Sequence, residues 1–188
     1  MLLATAALIE CVRRYYPSDI ARTDPRYAQS EEHQCLEHRC REAAAEADPW
    51  YRVVQQVEEA FAGCDVVDLT LLQHYPSYRC EVFWGQPPSL LERGRTDSVV
   101  CRLSVLAPVY AIHANHSRDD GTERESWMRY PPLPPEFQPY EAKVARLVES
   151  TLGATRLPNE VLFTRVPGIR PHPSRPQDRD PWLVELLF

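Results

Sequence analysis

The stretch DPWYRVVQQVEEAFAGCDVVDLTLL, residues 48–72, changes its hydrophobic period at Gly63, and that change decides the fold. Up to Phe61 the apolar residues Trp50, Val53, Val54, Val57 and Phe61 return every three or four positions, the spacing that places them along one side of an α-helix. Asp48 is suited to cap the free amides at the start, Pro49 to occupy the first helical position and Gly63 to end the helix. Beyond Gly63 the period drops to two, and DVVDLTLL reads as a strand.

Upstream of this boundary the chain reads as helical. In MLLATAALIECVRRYYP, Leu8, Val12 and Tyr16 recur at fourfold spacing with Ile9 beside them, a core-facing stripe. The run lacks a preceding positive charge and a small-x-small cleavage site, so it reads as a helix of the domain and not as an export signal. Ser30 can cap a second helix through CLEHRCREAAAEA, with Glu31 and Glu32 in the first turn where carboxylates favour the helix dipole. Downstream, YRCEVFW, SVVCRLSVL and PVYAIHANH are further β-rich runs. Residues 87–95 read as a hairpin loop, and Ala107-Pro108 as a tight turn between two strands of an antiparallel meander.

The polar stretch SRDDGTERES reads as a loop, and the proline-rich WMRYPPLPPEFQPYE as a strap leading to a helix over 140–152. In that helix Tyr140, Val144, Leu147, Val148 and Thr151 share a face and Gly153 closes. EVLFTRV and the terminal WLVELLF read as further strands or extended segments. These elements predict an α+β domain over 1–188: helices over 1–63 packed on an antiparallel sheet of four to six strands within 64–188, with one later helix.

Composition narrows the function. The 188 residues carry a net charge of −6; Lys143 is the only lysine and no arginine-rich helix replaces a lysine stripe, which disfavours direct nucleic-acid binding. No apolar run approaches the roughly 18 residues of a membrane span, so a soluble, cytoplasmic protein is expected. The six cysteines are then expected as free thiols, with Cys80 and Cys101 acting as small hydrophobes in strands. The sequence contains neither GxxxxGK[ST] nor GxGxxG, which disfavours the corresponding nucleotide chemistry.

Three constellations could carry chemistry. His33, Cys35, His38 and Cys40 lie within eight positions. On a helix, though, His33, Glu37 and Cys40 share a face while Cys35 and His38 point elsewhere, so four tetrahedral ligands cannot converge; neither metal nor cofactor is expected. His113 and His116 could serve a hydrolase, alone or paired with Cys80 or Cys101, although residues three apart on a strand face opposite sides. Arg129-x-x-Pro132-x-x-Pro135 matches a polyproline ligand that could dock an adaptor's partner, while its interleaved aromatics favour a strap packed over the domain. What remains is charge. Between Glu31 and Asp68 ten acidic side chains face three arginines, a field able to steer a basic partner. Candidate contacts are Glu42 and Glu46 on the second helix, with Trp127 and Tyr130 as aromatic anchors.

RYYPSDIARTDPRYAQSEE at 14–32, RYPPLPPEFQPYEA at 129–142 and LPNEVLFTRVP at 157–167 resemble a multi-copy family of small proteins in GC-rich bacterial genomes. That family is associated with the immunity proteins of polymorphic toxin systems. The shared motifs are turns and core segments, so the resemblance transfers no catalytic or metal residue. It implies a cytoplasmic binding protein that neutralises a cognate protein toxin by direct contact. The tail PQDRDPWLVELLF departs from the family pattern and leaves the last strand open.

Overall fold

Helix α4 (Asp48–Ala60) buries Trp50, Val53, Val54 and Val57 along the stripe read from the sequence, and the other elements are arranged around it in a computed structural model that describes residues 4–84, 94–119 and 124–188. Before it come α1 (Thr5–Arg13), α2 (Pro25–Gln29) and α3 (Glu31–Ala45). Ser30 caps α3 as expected, its Oγ accepting from the amide of His33 at 3.2 Å. Asp48 does not cap α4: Ala47 holds the cap position with no side-chain bond, and Asp48 sits within the first turn, where its charge still favours the dipole. The short α2 was not expected, although Asp24 accepts from the Arg26 amide and Pro25 opens the helix, the same Asp-Pro signal that marks α4.

After Gly63, whose φ of +96° makes the turn out of the helical layer, the chain forms β1 (Asp65–Asp68), β2 (Ser77–Trp84), β3 (Gly94–Ser104), β4 (Val109–Asp119) and β5 (Arg124–Arg129). They lie in sequence order, each antiparallel to the next. Then follow α5 (Gln138–Leu152), β6 (Thr155–Arg156), α6 (Asn159–Leu162) and α7 (Leu183–Leu187). The two-residue β6 pairs parallel with the start of β4, on the side away from β3 and in line with β5. The α+β architecture is therefore as expected, with this one parallel pair added to the antiparallel meander. The hairpin loop expected at 87–95 lies largely outside the described residues.

Four expectations are corrected. The polar stretch read as a loop instead extends β4 to Asp119 and supplies part of β5. Main-chain pairing does not require apolar side chains, and charged residues suit an edge strand. Of DVVDLTLL, only the first four residues are strand; beyond them Asp68 Oδ1 accepts from the Thr70 amide and turns the chain. EVLFTRV begins as helix α6, in which the Val161 and Leu162 amides bond back to the Pro158 carbonyl. WLVELLF forms α7, with the Glu185 carboxylate returning to the Trp182 amide at 2.9 Å. Leu183, Val184, Leu186 and Leu187 are all buried, and a run that is apolar on every side carries no period to separate helix from strand.

The sheet has two unlike faces. Tyr78, Cys80 and Val82 of β2 register with Leu103, Cys101 and Val99 of β3, which register with Tyr110, Ile112 and Ala114 of β4. All are buried in one continuous core with α4 and α5. Trp50 of α4 stacks on Tyr78 at 5.3 Å, and Tyr78 Oη donates to the Ala43 carbonyl at 2.6 Å, tying the helices to the sheet. The opposite phase of the same strands carries Arg79 and Glu81, Ser98 and Arg102, His113 and Asn115. Part of this second face is closed by the end of α7: Phe188 is buried, and its carbonyl oxygen accepts from Ser77 Oγ at 3.1 Å.

Candidate functional site

The polar face is organised around Glu81. Its side chain is 6% exposed and accepts three hydrogen bonds, from Ser98 Oγ at 2.6 Å, Asn115 Nδ2 at 3.1 Å and Arg79 Nη2 at 2.7 Å. A buried carboxylate is tolerable only when its lone pairs are met in this way, and here three adjacent strands each supply a partner. One step along, Arg79 and Arg102 stand directly opposite each other. Next to Arg102 lies His113, 1% exposed, its ring 5.3 Å from that of Tyr130. Burial, with the charges of Arg102 and Arg79, lowers the pKa of His113 to about 3, so the imidazole is neutral at ordinary pH. Burial likewise lowers the pKa of Arg102.

His116 belongs to the other face. Its Nδ1 lies 2.6 Å from Asp97 Oδ1, and its ring stacks on Trp127 at 5.1 Å. Asp97 and His116 are cross-strand partners, so the pair is fixed by register. The sheet itself thus stands between His113 and His116. It also separates His113 from Cys80 and Cys101, which lie together in the core as cross-strand partners. Burial pushes the Cys80 thiol up to about 12 and that of Cys101 higher still, the opposite of what activates a nucleophile. The Cys–His arrangement considered from the sequence is not assembled here.

The clustered histidines and cysteines of α3 spread as the helical period requires. His33 Nε2 lies 3.5 Å from Glu37 and His38 Nε2 3.2 Å from Glu42, while Cys35 is exposed and Cys40 packs against the core. Among the described residues no three His, Cys, Asp or Glu side chains are grouped to hold a metal ion. All six cysteines are free thiols.

Of the four proposed partner contacts, Glu42 is exposed on α3 and Glu46 is exposed at its C-cap. Glu42 also reaches Arg39 at 3.5 Å, whose Nε donates to the Val105 carbonyl and ties α3 to the β3–β4 turn. Trp127 is half-buried: it lies against Phe137 at 5.4 Å, with the Arg129 guanidinium over its ring at 4.8 Å. Tyr130 is half-buried between His113 and Phe163. The strap beyond it is anchored by Leu133 and Phe137, both buried. The largest exposed aromatic side chains are instead Tyr51, 53% exposed on α4, and Tyr75, 55% exposed before β2. The sequence signal for Tyr51 was its position off the apolar stripe of α4. The Glu81 network carries only a period-two signal, which shows that Arg79 and Glu81 share a face but not what meets them.

No helix among the described residues is long and apolar enough to cross a membrane. Comparison with protein-family models, with curated proteins and with solved structures found no match.

Proposed function

We propose that this chain is an immunity-type binding protein that neutralises a basic toxin by docking it on the outer surface of α3 and α4. The resemblance of its three turn and core segments to the immunity family supplies the class. The observation that supports the docking surface is the exposure of Glu31, Glu37, Glu42, Glu46, Asp48, Glu58 and Glu59 along these two consecutive helices. Arg41 and Arg52 are the exposed arginines among them, so the negative charge is only partly offset. Tyr51 rises from this acidic ground, and with Asp48, Arg52 and Gln55 it lines a shallow hollow. An exposed aromatic within a charged surround is the arrangement of an interface anchor: long-range charge sets the encounter rate and the desolvated ring slows dissociation. The test is a pull-down from its own cells with the purified chain as bait, read by mass spectrometry, followed by assay of any toxin captured. Inhibition of that toxin at equimolar protein supports the reading, and undiminished toxin activity with no complex overturns it.

A further inference from the structure

We infer that the hollow where α3 and α4 meet the β3–β4 turn is a binding site for a small organic cation with an apolar body, of the arylalkylammonium class. The hollow has a volume of about 350 Å³, at the lower end of the roughly 300–1,000 Å³ of small-molecule sites. Pro49, Leu103, Leu106, Leu152 and Ala154 give it apolar walls. Trp50 and Tyr78, whose rings stack at 5.3 Å, line it as well. Such walls gain by covering an apolar body and offer it no polar competition. The polar side chains of the lining are mostly engaged within the fold: Tyr78 Oη donates to the Ala43 carbonyl, Ser104 Oγ accepts from the Leu106 amide, and Arg39 Nε donates to the Val105 carbonyl at 2.8 Å.

Charge selects the ligand. Arg39 and Glu46 are the charged residues of the lining. The Arg39 guanidinium is directed to Glu42, at 3.5 Å, so those two charges offset each other and the exposed carboxylate of Glu46 is left to be balanced. Glu46 also stands at the C-cap of α3, whose last turn carries no basic residue, and the negative end of that helix dipole adds to its field. The opposing positive end of α4 is met by Asp48 in its own first turn. A cation at the rim therefore gains from Glu46 and from the helix end together, an uncharged ligand gains from neither, and an anion is repelled. Glu46 belongs to the proposed docking surface too, but the hollow and its charge do not depend on the proposed toxin.

The experiment is a titration of the ¹⁵N-labelled full chain with 2-phenylethylammonium chloride at constant ionic strength and pH 8, where histidine is ordinarily uncharged, followed through the indole N–H resonance of Trp50. Saturable shifts are expected at about millimolar concentration, with 2-phenylethanol binding more weakly and 3-phenylpropionate most weakly of the three. In Glu46→Gln, an exposed position whose substitution the fold tolerates, affinity for the ammonium should fall roughly two- to fivefold, to the level of the alcohol. Ala107→Phe, which fills the hollow from its half-buried rim, should abolish the response to all three. The absence of a saturable response to the ammonium in the unmodified chain overturns the inference. So does an alcohol or carboxylate that binds as tightly as the ammonium, or an ammonium affinity unchanged in Glu46→Gln.

Discussion

Glu81 shows how much one side chain can depend on its neighbours. Replacing it by alanine removes the acceptor for Ser98, Asn115 and Arg79 together, and the stranded donors add their desolvation cost to the lost bonds. Arg79 is partly exposed and can turn to water, which lowers the loss, so Glu81→Ala should destabilise by about 2–4 kcal/mol. Urea denaturation would measure this; a loss below about 1 kcal/mol would show that the network contributes little. His113 gives a pH dependence whose sign is fixed. Its folded pKa of about 3 lies below the ordinary 6.5, so as pH falls the unfolded chain binds the proton first. The stability tied to His113 is complete above pH 6.5 and is lost progressively toward pH 3. Against a His113→Phe variant, which keeps a ring beside Tyr130, the unmodified protein should lose about 2 kcal/mol more between pH 6 and pH 4. Parallel stability–pH curves for the two proteins would show that His113 is not the group responsible.

Helix ends and strand phases were the most legible elements. Gly153, read as the close of α5, has a φ of +62°, and a Cβ there would meet no atom within 4 Å. Gly153→Ala should therefore cost about 1 kcal/mol through backbone strain alone, with no steric contribution. A melting temperature unchanged within error would count against a strained left-handed cap. Ser30 and the stripes of α1, α4 and α5 were legible for the same reason: capping chemistry and the 3.6 period are local. The polar β5 and the wholly apolar α7 were not. In the first, pairing with β4 outweighs side-chain polarity; in the second, burial on every side erases the period.

At the scale of the whole molecule, the proposed docking depends on charge spread over two helices. Glu42→Arg with Glu46→Arg changes the net charge from −6 by four units, on exposed positions whose substitution the fold tolerates. Association with a basic toxin should slow, roughly tenfold at low salt, and lose much of its dependence on ionic strength. Stopped-flow rates that stay the same for the reversed variant would exclude this surface as the docking site. Composition and periodicity by themselves determined the α+β class, the helical layer before Gly63, the buried cysteines and the acidic bias of residues 31–68, because each depends on local spacing or on totals. Only the tertiary structure decided that His113 lies beside Tyr130 while His116 pairs with Asp97, that Trp127 and Tyr130 are engaged within the fold, and that Glu81, Ser98 and Asn115 meet. Those outcomes are set by register between strands distant in sequence, where a shift of one residue exchanges every side chain between the faces; a period of two says that a face exists, and the pairing alone says what stands on it.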